Sequence, residues 1–263
     1  MAELKINLEQ GKEIFYAHGV ELLGCFAKAK TRTEALDLIL KDAKEYSKWL
    51  ASKEIPKNGF KELAIEILKG INELTIIEEK TGIQTLGQEN GVYSLFKSDQ
   101  EPFEENTFTF LMELLKILPD ELARIIFPID KELQDKEIIP EKQSINEHLK
   151  ALYQNEFFLI TRFGIETEQQ LLEAINMTKE ELESLAILER CLRIRQGAIA
   201  ILKAKYPKMD CKVFKNAIDT DFPEEPWTIK KIIRLLIEND REHTKAIEEI
   251  AKKIELNQNN EEE

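Results

Sequence analysis

Apolar residues recur at intervals of three and four along most of the chain, the pattern of amphipathic α-helices. This spacing predicts a first helix over residues 12–30, with Phe15, His18, Leu22 and Cys25 on one face. Stripes of the same period predict further helices near residues 36–50, 60–74, 106–118, 140–158, 178–205 and 226–256. We therefore predict an all-α fold, a multi-helix bundle of about eight to ten helices.

Turn residues refine this picture. Thr31 and Thr178 each stand three residues before a glutamate, which is the spacing of a helix capping box. Pro119 is expected to end the helix that begins near residue 106. Asn90 and Gly91 form a strong turn signal, so we predict a short β-hairpin near residues 83–96, although an irregular loop also fits this stretch.

A polar stretch over residues 98–106 is the best candidate for a linker. We predict an N-terminal helical subdomain over residues 1–98 and a central helical subdomain over 107–222. A C-terminal amphipathic helix with a polar tail would occupy residues 223–263.

The C-terminal helix carries the most specific signal for a partner. Its apolar seam follows alternating steps of four and three residues, the heptad pattern of a coiled coil. Polar residues in the middle of such a seam fix register or partner choice. The same stripe also fits packing against the chain's own interior. The predicted partner-binding residues are Ile229, Ile233, Leu236, Asp240, His243, Ile247, Ile250 and Ile254.

A basic segment stands out in a chain whose net charge is −13. Between residues 190 and 215 there are eight basic residues and one acidic residue, Asp210. Such a cluster is suited to nucleic acid or another polyanion, although it can equally neutralise the chain's own carboxylates. The candidate anion-binding residues are Arg190, Arg193, Arg195, Lys203, Lys205, Lys208, Lys212 and Lys215.

The segment before this cluster resembles the first half of a helix-hairpin-helix module. The resemblance is carried by Phe163-Gly164-Ile165, by Leu171-Leu172 with Ala174, and by Glu180-Glu181-Leu182 with Leu185. In that family a glycine-rich hairpin follows and binds DNA phosphate through backbone N–H groups. Here Ala186 to Arg190 contain no glycine, so we carry over no DNA-binding activity.

Catalytic and cofactor motifs are scarce. His18, His148 and His243 are far apart in sequence, and no phosphate-binding loop, dinucleotide fingerprint or nucleophile elbow is present. Cys25, Cys191 and Cys211 form neither a disulfide framework nor a zinc motif. We predict no catalytic residue, no metal and no cofactor.

Localisation follows from the same composition. The N-terminus lacks a signal-peptide pattern, and no apolar run is long enough to cross a membrane. We therefore expect a soluble cytoplasmic protein that does not bind a membrane.

The leading functional hypothesis is a non-enzymatic helical interaction protein, an adaptor, regulatory or assembly subunit. It would dock on a protein partner, or on a second copy, through its C-terminal helix. One alternative is a nucleic-acid or polyanion-binding protein that uses residues 190–215. Another is a helical metalloenzyme that lacks a recognisable motif.

Overall fold

The structure is a computed structural model that describes residues 2–55, 59–87, 91–104, 106–217 and 220–261. These residues form a four-stranded sheet and nine α-helices. The strands are β1 (Ala2–Gln10), β2 (Phe15–Gly19), β3 (Phe26–Ala29) and β4 (Ile71–Lys80). The helices are α1 (Arg32–Ser52), α2 (Gly59–Lys69), α3 (Thr107–Ile126), α4 (Lys131–Gln134), α5 (Ile145–Thr161), α6 (Thr167–Ile175), α7 (Lys179–Ser184), α8 (Ile187–Met209) and α9 (Ile229–Glu261).

The prediction of an all-α bundle is wrong. The helix predicted over residues 12–30 is instead β2, a loop and β3. Its helical spacing is a coincidence, because Leu22 and Cys25 are buried from a loop rather than from a helix face. In β1, Leu4, Ile6 and Leu8 alternate with more polar residues, which is the period of a strand.

The hairpin predicted near residues 83–96 is also wrong where it is described, because residues 83–87 and 91–96 contain no strand. Asn90 lies outside the described residues. The strand lies earlier, where the sequence predicted the end of a helix. Gly70 adopts a φ of 136° after α2, and β4 begins at the next residue.

Several helix boundaries can be compared with the sequence. The caps at Thr31 and Thr178 are confirmed, because each hydroxyl accepts the N–H of the residue three positions later at 3.2 Å. Pro119 does not end a helix but lies inside α3. The predicted helix over residues 178–205 is divided into α7 and α8.

The sheet has the order β3-β2-β1-β4. The pairs β1–β2 and β2–β3 are antiparallel, whereas β4 is parallel to β1 and follows the crossover through α1 and α2. Leu4, Ile6 and Leu8 of β1 point to the side opposite Asn7 and Glu9. Both sides of β1 are buried, so the polar Asn7 and Glu9 require partners inside the protein.

The chain forms two compact units, each built from two segments. Unit 1 comprises residues 1–111 and 208–238, and unit 2 comprises residues 112–207 and 239–263. Unit 1 holds the sheet with α1 and α2. Unit 2 is helical, and its apolar core includes Leu149, Cys191 and Ile250.

Gly24 shows how closely α9 approaches the loop between β2 and β3 in unit 1. Its φ is 92°, a conformation that favours glycine. A Cβ atom at this position would lie 2.4 Å from Cγ2 of Ile237 on α9 and 3.1 Å from the hydroxyl of Tyr46 on α1. The loop therefore packs here only because residue 24 has no side chain.

We predict that Gly24→Ala lowers the free energy of unfolding by about 3 kcal/mol, since it adds backbone strain and a clash. Gly82→Ala is the matched control, because Gly82 also has a positive φ of 76° but nothing lies within 4 Å of its added Cβ. It should cost only the strain, about 1 kcal/mol. Urea unfolding of both variants measures the difference, and equal losses would contradict the proposed close packing at Gly24.

Candidate functional site

The described ionisable groups that meet inside unit 1 are centred on His18. In the β1–β2 ladder His18 lies opposite Asn7, so Glu9 projects from the same face of the sheet two residues away. His18 Nε2 lies 2.9 Å from Glu9 Oε1. His18 Nδ1 lies 3.0 Å from both carboxylate oxygens of Glu238, which is on α9.

This arrangement makes His18 a cation at neutral pH. Burial alone lowers the pKa of a histidine, and the nearby Arg234 acts in the same direction. The carboxylates of Glu238 and Glu9 outweigh both effects and raise the pKa of His18 to about 9. Reciprocally, hydrogen bonding to His18 helps to lower the pKa of Glu9 despite its burial.

Two further cations on α9 extend the group. Arg234 forms a bidentate pair with Asp99, with both nitrogen–oxygen distances at 3.1 Å, and it also donates to the carbonyl of Ser94. Lys231 contacts Glu225 at 2.8 Å and donates to the carbonyl of Tyr93 at 2.7 Å. These bonds attach the chain around residues 93–99 to the first turns of α9.

We call this set the His18 network. It contains seven buried ionisable side chains: Glu9, His18, Asp99, Glu225, Lys231, Arg234 and Glu238. Each cation contacts at least one of the carboxylates, so the charges are used within the protein. An acid–base catalyst needs a proton-transfer group within reach of a substrate. Residues so deeply buried and already paired are better suited to holding strands, loop and helix together.

We predict that unit 1 loses stability as the pH rises from 6.5 to about 9. Because the pKa of His18 is raised in the folded protein, its contribution is fully present below pH 6.5 and is lost as the pH passes about 9. The loss corresponds to about 3 kcal/mol. Trp49 and Trp227 both lie in unit 1, so tryptophan fluorescence during urea unfolding reports on this unit.

His18→Gln is the control for this titration. The variant has no imidazole to titrate, so its unfolding free energy should be lower than that of the wild type at pH 6.5 and much less dependent on pH. An unchanged pH profile in the variant would show that another group is responsible.

Unit 2 contains a separate group of buried charges, which we call the Arg195 triad. Arg195 on α8 donates from Nε to Glu156 on α5 at 2.5 Å. Its Nη1 and Nη2 groups each donate to Asp240 on α9 at 2.7 Å, and Nη1 also donates to the carbonyl of Leu115 at 3.1 Å. The guanidinium therefore joins four helices of this unit.

A small cavity lies beside the triad. It is lined by Glu156, Cys191, Arg195, Asp240, Thr244 and several apolar residues, and its volume of about 20 Å³ is enough for a water molecule but not for an organic substrate. Burial, reinforced by Asp240, raises the pKa of Glu156 to about 7 even though Arg195 opposes the shift. Burial also raises the pKa of Cys191 to about 12, so this thiol is a poor nucleophile.

The two carboxylates of the triad should respond differently to mutation. Asp240→Asn removes the partner of two short hydrogen bonds and should cost about 3 kcal/mol. Glu156→Gln should cost less than about 1 kcal/mol at pH 7, because Glu156 is already partly protonated there. Alkylation of Cys191 during urea unfolding, followed by mass spectrometry, reports on unit 2. Equal losses in the two variants would contradict the raised pKa of Glu156.

His148 and His243 meet on α5 and α9 of unit 2. Their Nδ1 atoms are 3.0 Å apart, so one ring donates to the other. Burial lowers the pKa of His148, which favours its neutral form. Within the described ranges, no group of three or more histidine, cysteine, aspartate or glutamate side chains is arranged to hold a metal ion.

The structure places the predicted seam of α9 inside the chain. Seven of its eight residues are buried, and His243 is half-buried against His148. Asp240, expected to face a partner, is bound to Arg195. In this conformation seven of the eight seam residues are therefore covered by the chain itself. The residues that were predicted to bind a partner but are buried are Ile229, Ile233, Leu236, Asp240, Ile247, Ile250 and Ile254.

The basic side chains of residues 190–215 do not form one continuous surface. Arg195 is buried in the triad, Arg190 contacts the ring of Tyr153, and Lys215 pairs with Glu224 at 3.0 Å. The segment also divides between the two units after Pro207. Its remaining members are exposed or half-buried: Arg193, Lys203, Lys205, Lys208 and Lys212.

The sequence did not predict that the residues of the His18 network, or those of the Arg195 triad, would come together. The available signal was the position of charged residues on otherwise apolar stripes, such as Asp240 in the seam and Arg195 between Ile194 and Ala198. A charge on such a stripe indicates an internal partner as readily as an external one. Most of the pairs join residues that are far apart in the chain, from 39 positions for Arg195 with Glu156 to 220 for His18 with Glu238.

The outer edge of the sheet is the remaining candidate for a binding surface. β4 pairs with β1 on one side, and no other strand pairs with it in the part of the chain that the structure describes. None of its ten residues is buried, and Asn72, Glu73, Ile77 and Glu79 are exposed. The other edge of the sheet, β3, has only four residues.

Comparisons with protein-family models, curated proteins and solved structures found no match. Of the helices in the described ranges, none has the length and apolar character needed to cross a membrane.

Proposed function

We propose that this protein is a non-enzymatic binding protein that accepts an extended segment of another protein at the outer edge of β4. The observation that carries the proposal is that this ten-residue strand lies at the edge of the sheet, with none of its residues buried and four of them exposed. An edge strand presents backbone N–H and C=O groups that are ready to pair with a further strand. Strand addition of this kind is a common mode of peptide recognition.

The interior of each unit supports a binding role over a catalytic one. The His18 network and the Arg195 triad pair their charges internally, and the cavity beside the triad is too small for a substrate. The large pKa shifts of these ionisable groups are therefore explained by burial and by internal ion pairs. A proposal based on the edge of β4 does not require any of these groups to be exposed.

The proposal keeps the interaction role predicted from the sequence but uses a different surface. Docking through the seam of α9 would require the helix to leave its own core, which would separate Arg234 from Asp99 and Asp240 from Arg195. Docking at β4 requires no such rearrangement. We further propose a cytoplasmic location, since no disulfide joins the three cysteines.

Photo-crosslinking tests the proposed surface. Ile77 on β4 is 50% exposed and Leu38 on α1 is 43% exposed, so they form a matched pair of apolar surface positions. Each is replaced in turn by p-benzoylphenylalanine and the protein is irradiated in cells. We expect a discrete adduct from position 77 and none of the same mass from position 38.

Mass spectrometry of the adduct then locates the attachment site on the partner. An attachment within an extended segment supports the proposal. The absence of any adduct at position 77, or the same adducts at both positions, would contradict it.

A further inference from the structure

We propose that the segment accepted by β4 is positively charged, with basic side chains that alternate with apolar or β-branched ones. This inference rests on the proposed function, because it specifies the partner of the same strand edge. It is carried by the side chains of β4 and by the charge of the chain.

The charges of β4 are mainly negative. The strand contains three glutamates and one lysine, and two of the glutamates, Glu73 and Glu79, are exposed. Glu79 lies 3.2 Å from Arg32, and Glu78 lies 2.7 Å from Lys80, so two carboxylates already have a cation nearby. Glu73 is exposed near the start of the strand, where it can meet a cation on an added segment.

Apolar side chains lie between these charges. Ile77 is 50% exposed, and Leu74 and Ile76 are half-buried. A segment added beside β4 would place its own side chains next to them, alternately on the two faces of the sheet. Basic residues on the face that carries Glu73 and apolar or β-branched residues on the face that carries Leu74 and Ile76 would satisfy both.

A second copy of this chain fits the edge less well. Two identical strands related by a twofold axis would bring a second set of three glutamates beside the first, and the cations near them, Lys80 and Arg32 of each chain, are fewer than the glutamates. Each chain also carries a net charge of −13, so the two copies repel one another. A basic segment is attracted by the same charges.

Synthetic peptides as long as β4, ten residues, provide the probe for the full-length protein. The test peptide alternates valine and lysine. One control alternates valine and glutamate, and a second carries N-methyl groups on alternate amides of the basic peptide, which removes strand hydrogen bonds. Binding is followed by hydrogen–deuterium exchange of the β4 amides and by fluorescence anisotropy of labelled peptide at low and high salt.

We expect the basic peptide to slow exchange of alternate β4 amides about tenfold and to bind more weakly as salt is raised. The N-methylated peptide should not protect β4. Glu73→Lys should weaken binding of the basic peptide about tenfold. Glu13→Lys, which makes the same charge change at an exposed residue between β1 and β2, should leave binding nearly unchanged.

The outcomes separate this inference from the proposed function. If the acidic peptide protects β4 as well as the basic one does, the edge accepts strands but the charge inference fails. If the basic peptide binds without protecting β4, it adsorbs elsewhere and the inference also fails. If no peptide protects β4 and no crosslink forms at position 77, strand addition itself is overturned.

Discussion

The structure depends on neutralising the charges that α9 carries into the interior. Within unit 1 this helix buries Lys231, Arg234 and Glu238, and within unit 2 it buries Asp240. An unpaired charge in such a position costs several kcal/mol, so the helix is stable there only if oppositely charged groups reach it. Those groups are His18 of β2, Asp99, Glu225 and Arg195 of α8.

This requirement explains why distant segments pack together in one way. An apolar helix face tolerates small rotations and shifts, whereas a bidentate pair such as Arg234 with Asp99 has a narrow geometry. The bonds from Lys231 and Arg234 to the carbonyls of Tyr93 and Ser94 also satisfy a stretch of backbone that has no strand partner. We therefore attribute the order of this irregular stretch to the charges on α9 rather than to its own sequence.

The helical periodicity predicted α1, α8 and α9 because their apolar stripes are long. The strands were missed for two physical reasons. In β1, Leu4, Ile6 and Leu8 do alternate with polar residues, but this pattern covers only nine residues and is much shorter than the helical stripes that dominate the chain. Over residues 12–30, burial from a loop at Leu22 and Cys25 imitated a helix period. The seam of α9 was correct as a pattern, but an apolar stripe does not say which chain covers it.

The same reasoning distinguishes the surface of β4 from the interior. A polar group in the His18 network or the Arg195 triad has its partner within the same unit, so little recognition capacity is left there. The outer edge of β4 differs because backbone groups along an edge strand are satisfied only by water until another strand pairs with them.

Natural sheets protect long edges with charges, bulges or covering segments. β4 has the first two, in its glutamates and its irregular register with β1, but none of its ten residues is buried. Charges that discourage a second acidic copy do not discourage a basic segment, so the protection of this edge is selective, and selectivity is what a binding surface requires.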